Sequence, residues 1–163
     1  MELDDNAIDI YEHLPVMQKI CMDIEAENIL ELGVRTGNST RAFIEVADII
    51  DSQVYGVDIE DCSWVSDSPR FHFTKCDSLE YVPDFIPSLV FIDTSHKYHQ
   101  TLLELRRYVP LLPTAGVIML HDTISCPEVL QAIQDFIKES DRIEKFENHT
   151  NNNGLGILWL KQA

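Results

Sequence analysis

The sequence is poor in cations, glycine and long apolar runs, and each shortage removes a class of function. Twelve lysines and arginines stand against 28 aspartates and glutamates, a formal net charge of −16. A surface of that sign repels phosphate backbones, and the nearest thing to a basic run, Arg106-Arg107, reads as a solvated helix face, so nucleic acid is not an expected partner. No apolar stretch approaches the roughly 20 residues of a membrane span, and the opening MELDDNAIDI lacks the basic-then-apolar order of a signal peptide. A cytoplasmic location without membrane attachment is therefore expected. The four cysteines, Cys21, Cys62, Cys76 and Cys126, form no CxxC pair and no zinc-like spacing, which points to reduced thiols. Six glycines are present and none sits in a GxGxxG pattern, which disfavours a dinucleotide cofactor.

The composition is otherwise that of a globular chain, 45% hydrophobic and 25% charged, of a length suited to one domain spanning 1–163. Tyr11, Leu14, Met17 and Cys21 recur near helical spacing, with Pro15 where a first turn tolerates it, so residues 1–26 read as a helical cover. Short apolar runs follow at Asn28 to Leu32, Val54 to Val57, Phe71 to Thr74, Leu89 to Ile92 and Val117 to Leu120. Between them lie amphipathic stripes: Phe43, Val46, Ala47 and Ile50 after a start near Asn38 or Ser39, then Leu102, Leu105 and Val109, then Leu130, Ile133 and Ile137. Arg142 to Phe146 and Leu155 to Leu160 read as an antiparallel pair closed by Asn151-Asn152-Asn153-Gly154. Strands alternating with helices predict a three-layer α/β sheet, mostly parallel and seven-stranded, with that hairpin as its antiparallel exception.

In open α/β sheets, ligands bind beyond the carboxyl ends of the strands, so the residues at the strand tips carry the chemistry. The first tip is Glu31-Leu32-Gly33-Val34-Arg35-Thr36-Gly37, whose glycines allow a sharp turn and close approach of a ligand. Asp58 ends the second run, where a carboxylate can accept both hydroxyls of a ribose, and Asp77 with Ser78 follows the third, where Asp77 can face an exocyclic amine. Taken together these residues resemble the class I S-adenosylmethionine-dependent methyltransferases over nearly the whole chain. The resemblance implies a Rossmann-like methyltransferase fold. It also implies that Glu31, Gly33 and Gly37 hold the methionine part of the cofactor, that Asp58 holds ribose, and that Asp77 with Ser78 lies by adenine. Arg35 and Thr36 depart from the small residues usual inside that turn.

Asp93-Thr94-Ser95-His96 and His121-Asp122-Thr123 follow the fourth and fifth runs, so two carboxylates and two histidines can meet at one rim. These residues resemble the metal-dependent small-molecule O-methyltransferases, in particular the macrolide and aminocoumarin sugar O-methyltransferases with their cephalosporin-hydroxylase-like relatives. The resemblance implies a divalent ion on Asp93 and Asp122, with His121 standing where the family usually has an acid. Magnesium is the ion the family implies, while an imidazole ligand suits manganese, zinc or iron. His96 has the pKa range of a base at neutral pH and is expected to take the proton of the acceptor hydroxyl. Each aspartate alone could instead cap the helix that follows it, and Trp64 could flank adenine or belong to a satellite core. The expected partner is a small-molecule acceptor, and a homo-oligomer in which a neighbour lends a lid is compatible with the sequence. A degenerate fold that binds a cofactor or metal without catalysis is the alternative.

Overall fold

The computed structural model describes residues 10–162, so the first nine residues of the expected N-terminal cover lie outside it. The order is α1 (Leu14–Asp23), β1 (Asn28–Leu32), α2 (Asn38–Ile50), β2 (Gln53–Asp58), β3 (Phe71–Lys75), β4 (Leu89–Ile92), α3 (Tyr98–Tyr108), β5 (Val117–His121), α4 (Pro127–Glu139), β6 (Ile143–His149) and β7 (Leu155–Leu160). Short 3-10 turns at Ser63–Val65 and Val109–Leu111 add to these, the first inside a segment that reads as loop in the sequence.

The seven strands form one sheet in the order β3-β2-β1-β4-β5-β7-β6. Pairing is parallel from β3 through β5 and antiparallel at β5–β7 and β7–β6. The chain runs outward from β1 to β3 and then returns to place β4 on the other side of β1. The order therefore reverses between β1 and β4, and the carboxyl ends of those two strands flank the crevice where such sheets take ligands.

Alternation along the strands splits the core in two. Leu30, Leu32, Val90, Ile92, Ile118 and Leu120 pack against α3 and α4 through Leu102, Leu105, Tyr108, Ala132, Ile133 and Phe136. Ile29, Leu89, Phe91, Val117 and Met119 face the other way, against Met17 and Cys21 of α1 and Phe43, Val46 and Ala47 of α2. In α4 the buried stripe is Val129, Ala132, Ile133 and Phe136. Leu130 and Ile137, two of the three residues that mark this helix in the sequence, are only half-buried. No helix among the described residues is long and apolar enough to cross a membrane.

The closing hairpin also touches the far rim. Asn153 carbonyl oxygen accepts the amides of Ile124 at 2.8 Å and Ser125 at 3.1 Å, and Thr123 Oγ1 donates to Asn148 Oδ1 at 2.6 Å. Gly154, at φ +89°, has no room for a Cβ against Thr123 and Ile124. The loop after β5 is thus held from above by the turn between β6 and β7.

Candidate functional site

The glycine turn links β1 to α2, and its glycines serve the protein's own packing. Gly33 has φ +92°, and a Cβ there would fall on the Asp93 carbonyl; Gly37 has φ +77°, and a Cβ there would fall on the Val65 side chain. Asp58, at the tip of β2, fixes the same turn. Its Oδ2 accepts the amides of Val34 at 2.8 Å and Arg35 at 3.0 Å, and its Oδ1 accepts that of Glu60 at 2.9 Å. A carboxylate oxygen has two lone pairs. Three of its roughly four acceptor positions are thus taken by backbone amides, and the Cys62 thiol is a further hydrogen-bonding neighbour.

Glu31 lies behind the turn. It shares the strand face of Ile29, is 0% exposed, and accepts hydrogen bonds from Ser39 Oγ and, at 2.6 Å, Thr40 Oγ1 in the first turn of α2. Burial pushes its pKa up to about 8 against the pull of those two hydroxyls. Any part it plays toward a ligand runs through the start of α2. That helix begins at Asn38 with Gly37 at its N-cap, a residue with no side chain to cap with, and the hydroxyls of Ser39 and Thr40 turn inward to Glu31.

Two recesses meet at this turn. One, of about 360 Å³, is lined by Gly33, Asp58, Asp77, Ser78, Asp93 and Gln100 among others. The second, of about 290 Å³, is lined by Gly33, Asn38, Asp93, His96, His121 and Asp122 among others. Gly33, Arg35, Asp93 and Thr94 border both. Asp77 is exposed and uses Oδ1 to accept the amide of Leu79 at 2.8 Å. Ser78 is buried, and its hydroxyl donates to Glu104 Oε1 at 2.5 Å. Trp64 is 64% exposed and donates Nε1 to the Asp61 carbonyl at 3.1 Å, which removes it from the core.

Glu104 is a residue that the sequence reading missed. It is 0% exposed on α3 and takes hydrogen bonds from Ser78, from Thr94 Oγ1 at 3.0 Å and from Gln100 Nε2 at 3.2 Å. Burial raises its pKa, partly offset by these three donors. It ties the tips of β3 and β4 to α3. The available signal was its place between Thr101 and Tyr108 on the buried side of that helix, an acid where an apolar residue is the rule.

At the other end the four residues expected at one rim do come together. His96 Nε2 stands 2.9 Å from both Asp93 Oδ1 and Asp122 Oδ2, and the hydrogen bonds to Asp122 and Asp93 push the His96 pKa up to about 10. His121 Nδ1 is 3.3 Å from Asp122 Oδ2 and 3.7 Å from Asp93 Oδ2. Burial opposes ionisation of Asp122, but hydrogen bonds from His121, His96 and Ser125 outweigh it and hold the carboxyl well below the usual range. Neither aspartate caps a helix: α3 starts after Lys97 and α4 after Cys126, both without a side-chain capping bond. His96 at φ +57° and Asp122 at φ +62° occupy the left-handed region, which costs a side-chain-bearing residue of order 1 kcal/mol or more and is concentrated at functional sites.

Asp93, His121 and Asp122 each offer one donor atom, and the three lie within 4.8 Å of one another. Two carboxylate oxygens and one imidazole nitrogen fit a divalent ion, and the nitrogen widens the choice beyond magnesium. His13, from the segment before α1, packs its ring edge-on at 5.6 Å from that of His121. It is 1% exposed and its pKa is lowered, first by burial and then by the neighbouring histidines. Nothing in the sequence around His13 marks it.

The comparisons with known proteins agree with this architecture. No curated protein sequence matches the chain. Among solved structures, a protein assigned as a caffeoyl-CoA O-methyltransferase from Staphylococcus aureus superposes with a TM-score of 0.74 at 17% identity, covering 98% of this chain and 85% of that one. The N-methyltransferase NodS from Bradyrhizobium japonicum WM9, in complex with S-adenosyl-L-homocysteine, gives 0.67 at 12% identity, covering 93% and 86%. The MycE methyltransferase of the mycinamycin biosynthetic pathway, in complex with magnesium, S-adenosyl-L-homocysteine and mycinamycin VI, gives 0.71 at 20% identity, covering 91% of this chain and 49% of that one. These likenesses establish a class I, Rossmann-like methyltransferase fold. The family described as a methyltransferase domain matches residues 30–123, more than half of the sequence, from β1 through the tip of β5. The chain belongs to that methyltransferase domain family.

Proposed function

We propose that the protein is an S-adenosylmethionine-dependent O-methyltransferase that acts on a small hydroxylated acceptor beside a divalent ion. The observation that carries this reading is the meeting of two recesses at Gly33 and Asp93. One has the acidic tip Asp58, and the other has Asp93, His96, His121 and Asp122. S-adenosylmethionine, if held there, would supply an electrophilic methyl group, and a divalent ion held by Asp93, Asp122 and His121 would supply Lewis acidity that lowers the pKa of a bound hydroxyl.

The rest of the work falls to the chain. Asp58 fixes the glycine turn at the ribose end, while Asp77 lies exposed at the adenine end. Glu31 and Glu104, both fully buried, hold α2 and the β3 and β4 tips in place. His96 donates from Nε2 toward both carboxylates, which push its pKa up to about 10, so it is protonated at neutral pH and takes the acceptor proton, the role expected from sequence, only after giving up the one it holds. Magnesium and S-adenosyl-L-homocysteine in the MycE complex, and S-adenosyl-L-homocysteine in the NodS complex, support the same cofactors here.

The test is transfer of labelled methyl from S-adenosylmethionine to a panel of phenols, sugars and hydroxy acids, with and without chelator. Transfer that chelator abolishes, and that His96→Asn lowers at least about tenfold in kcat without weakening S-adenosyl-L-homocysteine binding, supports the reading. Failure to bind S-adenosyl-L-homocysteine in calorimetry overturns it. One observation favours a second reading, a non-catalytic binding module: His96 bridges Asp93 and Asp122 at 2.9 Å each. Cofactor binding without transfer to any acceptor of the panel would support that module.

A further inference from the structure

A second set of ligand atoms lies beside the one just described and shares one residue with it. The donor atoms of His96, Asp122 and Cys126 lie within 4.8 Å of one another. They are brought together by the loop after β5, where the Cys126 amide donates to the Asp122 carbonyl at 2.9 Å and closes a tight turn. Ser125 Oγ donates to Asp122 Oδ1 at 2.6 Å, which leaves Oδ2 aimed at His96. Cys126 stands half-buried at the N-cap of α4, makes no capping bond, and is followed by Pro127 in the first helical turn. His96 and Cys126 open onto a recess of about 300 Å³ lined also by Ser95, Lys97, Pro127 and Glu128, while Asp122 borders the main recess. His96 is the one residue that borders both this recess and the one over Asp93 and His121.

We propose that His96, Asp122 and Cys126 form a binding site for a thiophilic divalent ion, zinc being the type case, distinct from the ion site on Asp93, Asp122 and His121. One sulfur, one imidazole nitrogen and one carboxylate oxygen are the donors that zinc and its neighbours take, with a fourth position open to water, and the sulfur and nitrogen are poor ligands for magnesium. Binding deprotonates the Cys126 thiol and takes the proton from the ligating nitrogen of His96: the metal–sulfur and metal–nitrogen bonds form as the sulfur–hydrogen and nitrogen–hydrogen bonds break, and both protons leave to solvent. An ion held there draws His96 and Asp122 away from the main recess, so the site is inhibitory. That last consequence rests on the proposed methyl transfer, whereas the binding does not.

The experiment is a titration of the reduced chain with cobalt(II) in excess magnesium, followed by optical absorption. A thiolate-to-cobalt charge-transfer band that saturates at one equivalent is expected. It should be lost in Cys126→Ser, with cobalt affinity weakened at least about tenfold, and kept in Cys76→Ser and in Asp93→Asn. Cobalt binding without a thiolate band, or a band that survives Cys126→Ser, overturns the proposal. Zinc protection of Cys126 against iodoacetamide in the unaltered chain, read by peptide mapping, covers the case in which the variant fails to fold. Equal labelling with and without zinc overturns the proposal. Calorimetry with S-adenosyl-L-homocysteine on the same samples separates the two readings, since its failure strikes the methyltransferase reading and leaves the cobalt band untouched.

Discussion

Gly33 presses its α-carbon against the backbone carbonyl of Asp93, leaving no space for a methyl group between the tips of β1 and β4. A side chain at position 33 must push those strand ends apart and also adopt φ +92°. Gly33→Ala should destabilise the protein by about 2–3 kcal/mol, a fall in Tm of roughly 6 °C. A thermal scan within about 1 °C of the parent would show that the contact yields easily.

Asp58 accepts three backbone amides, two of them from the glycine turn. In Asp58→Ala, the Val34, Arg35 and Glu60 amides lose their acceptor, which costs about 1–3 kcal/mol in stability. The variant should also bind S-adenosyl-L-homocysteine at least about tenfold more weakly, a difference of about 1.4 kcal/mol. Calorimetry that returns unchanged affinity would remove Asp58 from the ribose end of the site.

Glu31 gives the fold a pH dependence whose sign is fixed by burial. Its carboxyl titrates near its ordinary value when unfolded but only at about 8 when folded, so the folded state binds the extra proton between those values. Stability from this group is complete below the unfolded pKa and is lost as pH rises through about 8. Urea titrations at several pH values should show a decline on the order of a few kcal/mol across that window. In Glu31→Gln the decline should flatten, and an equally steep slope in that variant would assign the effect to another group.

Glu104 is the common acceptor for Ser78, Thr94 and Gln100. Glu104→Ala leaves those donors without it and opens a void in the sheet-facing side of α3, at a cost of about 2–4 kcal/mol in urea denaturation. Glu104→Gln keeps one acceptor oxygen and most of the volume, so it should lose about half as much. Equal stability in the two variants would mean that the full set of carboxylate hydrogen bonds, and not volume, is what Glu104 supplies.

The strands were legible because a sheet buried on both faces needs uninterrupted apolar runs, and Leu89 to Ile92 and Val117 to Leu120 are such runs. The meeting of Asp93, His96, His121 and Asp122 was legible for a related reason: β4 and β5 are parallel neighbours, so their C-terminal tips lie side by side. What the sequence concealed depends on approach in three dimensions. Glycine 33 signals a close contact but does not say whether a ligand or the Asp93 backbone makes it. Cys126 comes within 4.8 Å of His96 across the loops after β4 and β5, in which His96 and Asp122 hold left-handed backbone. Glu31 was half legible, since strand alternation places it on the face of Ile29 and away from Leu30 and Leu32, toward α2.

The turn at Asn151 to Gly154 grips the loop after β5 from a part of the chain translated some thirty residues later. As the polypeptide leaves the ribosome, the glycine turn and the first five strands emerge before the segment that braces Thr123, Ile124 and Ser125. The rim carrying Asp122 is thus braced only after the turn and the five strands beside it have been made.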